Sequence, residues 1–187
     1  RRVADGIGLP VPDALPSAMP VRDLPPSQAL RIIHGPRQLD TLKGRKVGVL
    51  LTDGADADAL TKLRKDVEQA GGRVMTLAPR VAGLKLSDGK PFTADGQLAG
   101  TPSVMVDAVV LLVSDAGCQA LVREAAAVQF VMDAFAHLKT IGHTPEAKAL
   151  LDKAGVQPDD GVLPLDQFIK CAGIRHWHRE PQVRQLA

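Results

Sequence analysis

Two apolar runs, Val47 to Leu51 and Ala108 to Val113, constrain this chain more than any other feature. A strand with one wet face alternates apolar and polar residues, so an unbroken apolar run implies burial on both faces, as in a parallel sheet with helices on each side. Thr52-Asp53-Gly54 ends the first run. Leu60, Leu63, Val67 and Ala70 then recur at helical spacing over 56–70, and Gly71-Gly72 supplies the stop. The pattern continues with a strand from Arg73 to Ala78 and a hairpin from Leu84-Lys85-Leu86 to Pro91–Thr93, turning on Asp88-Gly89. A long helix is expected over 119–138, with Leu121, Val128, Val131, Met132 and Phe135 on its buried face. Lys139 to Gly142 reads as a short strand, Pro145 to Ala154 as a helix opened by proline and closed by Gly155, Gly161 to Leu165 as a late strand, and Leu165 to His178 as a final helix. Strands alternating with helices in this way predict an α/β, doubly wound, mainly parallel sheet with helices on both faces. With 45% of 187 residues hydrophobic, one sizeable core is expected.

The first forty residues follow other rules. They hold seven of the 14 prolines, Pro10, Pro12, Pro16, Pro20, Pro25, Pro26 and Pro36. Each proline removes a backbone donor and fixes φ, so 1–40 reads as an extended linker ahead of a domain over 41–187. Its Ile7, Leu9, Val11, Leu15, Met19 and Val21 are too many for a freely solvated tether, and the arm is expected to lie along another surface. The start without Met reads as the inside of a longer protein. Lys plus Arg total 23 against 21 Asp plus Glu, a balance that argues against a nucleic-acid or membrane-surface partner. Cys118 and Cys171 lack disulfide-framework or zinc spacing, and no secretory signal or membrane-length apolar run is present, so a cytoplasmic location is expected.

In a parallel doubly wound sheet, ligands bind at the carboxyl ends of the strands. Thr52 to Ala55, Ser114 to Cys118 and Gly142 to Glu146 are therefore the places to search. At the last of these, Ile141-Gly142-His143-Thr144-Pro145-Glu146 joins a strand to a helix without any nucleophilic side chain at the turn. Cys118 is read as a partly buried, inert thiol rather than an activated one, and Cys171 as packing. His143 fits a capping group better than an acid or base. Asp53, Asp56 and Asp58 cluster as a cation site would, but carboxylates are also favoured at a helix start, and capping is the simpler reading. His176 and His178, two apart, do not share a helical face, so no metal site is expected there and Trp177 is read as a packing or interface residue between solvent-facing histidines. No glycine-rich phosphate loop follows a strand.

Gly44-Arg45-Lys46-Val47-Gly48-Val49-Leu50-Leu51-Thr52-Asp53-Gly54, the 108–113 strand and the His143-Thr144-Pro145 turn resemble the class I glutamine-amidotransferase-like fold in its intracellular-protease and deglycase branch. The proline-rich arm, the Thr41-Leu42-Lys43-Gly44 approach, Phe168-Ile169 and the terminal His176-Trp177-His178-Arg179-Glu180 resemble, more narrowly, the C-terminal part of the large-subunit haem catalases. That resemblance implies a flavodoxin-like domain tethered by a long linker to a catalase core. It also implies that haem and the peroxide chemistry lie upstream, and that the partners are the core and the sister subunits of a homotetramer.

The deglycase branch needs a cysteine on the strained turn, a carboxyl partner and backbone donors for an oxyanion. By resemblance, Gly142 stands in the cysteine's place, Ala59 in the carboxylate's, with Asp56 or Asp58 offered by an offset alignment but without a thiol to activate, and Ser114-Asp115-Ala116-Gly117 in that of the donor glycines. No catalytic residue is therefore expected. Asp53, Asp56, Ser114, Asp115, Cys118, His143 and Glu146 remain as candidates lining a vestigial cleft. A non-catalytic stability and assembly domain is the leading reading. The alternatives are a holdase-like chaperone for unfolded client proteins, using the apolar arm, and a residual thiol enzyme using Cys118.

Overall fold

The central strand, β1 (Lys46–Leu51), is buried at every residue after Lys46, which requires a neighbour on each edge and a layer on each face. A computed structural model describes residues 2–31, 40–80 and 83–183 and supplies those neighbours. The chain forms two units, Arg1–Gln38 and Leu39–Ala187.

In the first unit a short helix, α1 (Arg2–Gly6), leads into chain without regular structure through residue 31. Ile7, Leu9, Val11, Leu15, Met19 and Val21 are exposed. The expectation for Pro36 lies outside the described residues.

In the second unit β1 is followed by α2 (Ala57–Gln69), β2 (Arg73–Ala78), the hairpin β3 (Leu84–Lys85) and β4 (Pro91–Phe92), and an edge strand β5 (Gly96–Gln97). Next come β6 (Ala108–Leu112), α3 (Asp115–Leu121), α4 (Ala125–Ala136), β7 (Ile141–His143), α5 (Lys148–Lys153), β8 (Val162–Pro164), α6 (Phe168–Cys171) and α7 (Glu180–Val183). The main sheet runs β5-β2-β1-β6-β7-β8 with every pairing parallel. The chain winds outward from β1 to β2, then returns to β1's other edge at β6, the flavodoxin-like arrangement.

Residue alternation along the strands divides the core in two. Leu50, Leu77, Val109, Leu111 and Ile141 face α3, α4 and α5 through Leu121, Phe130, Val131, Phe135 and Leu150. Val47, Val49, Leu51, Val110 and Leu112 face α2 through Leu60, Leu63 and Val67, and α6 through Phe168. Among the described residues no helix is long and apolar enough to cross a membrane.

Two expected helices are different in the structure. The single helix over 119–138 is broken at Val122–Glu124, where Glu124 is extended (φ −100°, ψ 112°). Cys118 and Ala127 are both core residues, yet nine positions make about two and a half turns, which would put them on opposite faces of a continuous helix. The break turns both faces inward. Val128 and Met132, expected on the buried face, are only partly buried, and Ala127, Phe130 and Ala134 take the inner positions. The expected helix from Leu165 to His178 stops at Cys171. A Cβ on Gly173 would come within 2.7 Å of the Thr41 backbone, so the chain is held against that segment and then turns to bridge Arg175 with Lys139. The α4 terminus is a Schellman motif, with Lys139 N–H bonded to Ala134 O (3.1 Å) and Leu138 N–H to Phe135 O (2.9 Å). Leu138 occupies the left-handed position (φ 61°) that glycine usually takes.

Lys139 is buried to 3% exposure, with its ammonium donating to the carbonyls of Ser103 and Val106. Burial, reinforced by the Arg175 charge, pulls its pKa from 10.5 to about 8, against the opposing pull of Asp107 and Asp133. Between those values the unfolded chain binds more protons than the folded one, so stability rises with pH. Urea unfolding at a series of pH values should show a gain of about 2 to 3 kcal/mol across that window, absent in Lys139→Met.

Candidate functional site

The reversal of winding places a crevice beyond the carboxyl ends of β1 and β6, and polar side chains stitch it closed. Ser114, directly after β6 and its Val113, caps α3 by accepting from Gly117 N–H at 3.1 Å. It also donates to the Asp53 carbonyl (2.5 Å), and its own N–H donates to Thr52 Oγ1 (3.0 Å). α3 lies so close that a Cβ on Gly117 would fall 2.0 Å from Thr52 Oγ1. The Gly117 amide is thus spent on the cap, leaving it unavailable as an oxyanion donor.

Beside this seam, a cleft of about 450 Å³ opens between the ends of β1 and β2 and the flank of α3. Asp53, Arg80 and Glu124 contribute its charged groups, and Leu84 and Leu121 its apolar ones. Asp53 is held by accepting from Lys85 N–H at 2.7 Å, a bond that ties the β3–β4 hairpin to the end of β1.

The corner after β7 is closed. A Cβ on Gly142 would meet the Phe168 ring at 2.7 and 2.8 Å, and Phe168 is completely buried. The turn itself is well formed. Thr144 N–H donates to Leu111 O, Leu165 N–H to His143 O and Ala147 N–H to Thr144 O. His143 is half-buried, with Nδ1 3.1 Å from its neighbour's carbonyl, Thr144 O.

A family model described as the C-terminal domain found in long catalases matches residues 43–172. The chain belongs to that family. Catalase C of Rhizobium meliloti (strain 1021) is 40% identical over 98% of this chain, and the match covers 27% of that protein. Catalase HPII of Pseudomonas putida is 34% identical over 95% of the chain and 26% of its own length. The chain therefore spans about a quarter of these curated relatives. Among solved structures, a cysteine-to-alanine mutant of a DJ-1 superfamily protein from Salmonella typhimurium matches 76% of this chain and 96% of its own, with TM-score 0.58 and 22% identity. At that identity the likeness concerns fold, and it agrees with the glutamine-amidotransferase-like architecture.

In this long-catalase C-terminal domain the sequence candidates do not converge. Asp56 caps α2, accepting from Asp58 N–H and Ala59 N–H, each at 2.9 Å. Ala59 packs against the core on that first turn. Asp115 is exposed and Glu146 half-buried. Cys118 lies inside α3 at 1% exposure. Burial pushes its thiol up, against the pull of the Leu150 and Ala149 backbone, and Asp115 adds to the rise. The thiol-enzyme reading fails on this point, because reactivity needs an accessible thiolate. In a Cys171→Ser background, Cys118 should label far more slowly in the native state than in urea. Fast labelling at neutral pH would contradict its burial.

Two further arrangements lie outside the sequence reading. Arg179, with no exposed surface, makes a two-pronged pair with Asp159 through Nε (2.5 Å) and Nη2 (2.6 Å). His176 is buried rather than solvent-facing, and its ring, that of His178 and the Asp160 carboxylate bring their donor atoms within 4.8 Å of one another. The spacing argument against this pair assumed a helix. His176 has φ −87° and ψ 70°, so the helical rule does not apply. Gly161 carried a signal for the Arg179 pair, since a Cβ there would lie 2.2 Å from Arg179 Nη2, while nothing in the sequence marked Phe168 as the group filling the Gly142 corner.

Proposed function

We propose that this chain is non-catalytic by itself and acts as a stability and assembly domain of a long catalase, whose upstream core decomposes hydrogen peroxide at haem. The Phe168 ring against Gly142 carries the reading. It occupies the space a nucleophile would need, and Ala59 offers no carboxylate to activate one. Haem itself does not fit the cleft here, whose lining contains no His, Cys, Met or Tyr among the described residues to serve as axial ligand. The cofactor is assigned to the core. The exposed apolar residues of 1–31 suit an arm that covers the core or a sister subunit of a homotetramer. A cytoplasmic setting belongs to the same reading, and both cysteines are free.

A peroxide assay on the purified chain with added haem should show no turnover beyond haem alone; appreciable turnover overturns the non-catalytic assignment. For the assembly role, deleting this domain from a long catalase should lower its thermal midpoint and its tetramer fraction in sedimentation. Unchanged values would remove that role. The same exposed Ile7, Leu9, Val11 and Leu15 favour holdase-like binding of unfolded clients as a second reading. Light scattering of a heated client decides it, because suppression should be lost when 1–40 is deleted.

A further inference from the structure

At the amino-terminal edge of the sheet, away from the cleft, the loop before β8 meets the segment after α6. We propose that Asp160, His176 and His178 form a binding site for one divalent cation of the zinc class, clipping that loop to the C-terminal segment. Asp160 Oδ1 is 3.4 Å from His176 Nδ1 and 3.3 Å from His178 Nε2. Both separations are long for hydrogen bonds. They match the edge of a tetrahedral shell, in which ligand atoms about 2.0 to 2.1 Å from zinc stand about 3.3 Å apart.

Hydrogen-bond bookkeeping at Thr140 makes the case independently of that spacing. Thr140 Oγ1 is 2.7 Å from the Cys171 carbonyl, which can only accept, so the single hydroxyl proton lies there. His176 Nε2, 2.9 Å from the same Oγ1, must then be the donor. That assigns the ring's proton to Nε2 and turns the bare Nδ1 lone pair toward a carboxylate oxygen. His176 is 4% exposed and Asp160 lies open to solvent, so the ring's lone pair faces a carboxylate oxygen, a contact that a cation between the two makes attractive. The Thr140 bond is also the kind of outer-shell contact that fixes a metal-binding imidazole in one tautomer.

The neighbouring charges leave room for the ion. Asp159 Oδ1 accepts from Gly161 N–H (2.8 Å) and Arg179 Nη2, and Oδ2 accepts from Arg179 Nε. Asp159 therefore neutralises the closest guanidinium and holds the loop. His178 Nε2 also lies 3.3 Å from Asp159 Oδ2, but that oxygen is committed to Arg179. Asp160 and His178 are exposed, giving the cation a solvent path and a place for water as fourth ligand. Imidazole with a carboxylate selects zinc and its transition-metal neighbours over calcium or magnesium.

Cobalt titration of the 187-residue chain should give the intense visible bands of four-coordinate Co²⁺, saturating at one ion per chain and abolished by equimolar Zn²⁺. His178→Ala and Asp160→Asn change exposed side chains and should keep native circular dichroism while weakening binding about tenfold or more; Thr140→Val should cost about tenfold through the outer shell. Zinc should raise the thermal midpoint of the unaltered chain but not of the two exposed-site variants. Absence of cobalt bands and of calorimetric heat with zinc would overturn the site and leave a shared proton in its place. Binding unchanged in His178→Ala and Asp160→Asn would overturn it equally.

Discussion

Arg179→Ala should cost about 3 to 5 kcal/mol in urea unfolding, a large share of the about 5 to 15 kcal/mol that holds a typical domain folded. The guanidinium has no exposed surface and meets three elements at once. It pairs with Asp159 in the loop before β8 and donates to the Lys139 carbonyl at 2.6 Å. It also lies 4.5 Å above the centre of the Phe135 ring on α4. Truncation would strand the Asp159 carboxylate and the Lys139 carbonyl, and stranded buried groups account for most of the expected loss. Replacing both partners, as in Arg179→Met with Asp159→Leu, should recover part of it. A loss below about 1 kcal/mol for Arg179→Ala would show that the pair is not a structural link.

The same pair predicts an acid dependence. Burial pushes the Asp159 carboxyl up, but hydrogen bonds from Arg179 and Gly161 N–H, with the Arg179 charge, outweigh it and hold the group below the usual carboxylate range. A lowered folded pKa contributes stability that is present above the unfolded value and is lost as pH falls through the folded one. That acid-side slope should flatten in Arg179→Met.

The second large effect is expected at the closed corner. Phe168→Ala should destabilise by about 3 to 5 kcal/mol, because a fully buried ring leaves a cavity between α6 and β7. Gly142→Cys, which places a thiol where the nucleophile would stand, should cost about 1 to 3 kcal/mol through overpacking against that ring. The double variant should be more stable than the sum of the two losses predicts, since the alanine removes what the cysteine meets. Strict additivity would mean that the two residues do not compete for the same space. In the single Gly142→Cys variant no peroxide or deglycase-type activity should appear, because the Phe168 ring stands against the introduced thiol.

The parallel sheet was legible because burial on both faces leaves a mark in the sequence. β1 and β6 show no alternation, and the helix after β1 shows one apolar face closed by two glycines. The strand-to-helix turn after β7 was legible too, since Pro145 marks the start of the next helical segment. Helix continuity was not. Residues 119–138 contain no Gly or Pro to signal a break, and the one at Glu124 is set by which faces of α3 and α4 must reach a common core. Gly173 stops the last helix through its approach to Thr41, more than a hundred residues earlier in the chain. No local pattern encodes that contact.

The candidate sites divide in the same way. Asp56, Ser114 and Cys118 behave as local chemistry leads one to expect: a carboxylate and a hydroxyl cap helices, and a small apolar thiol is buried. Sequence by itself determined the alternation of elements and the strand ends at which to look, because periodicity and residue type are local properties. Only the tertiary structure decided that Phe168 packs against Gly142, that Arg179 is buried against Asp159, and that His176 and His178 converge on Asp160. Each of those depends on which distant segments the core brings into contact, and packing among distant segments leaves no period in the chain.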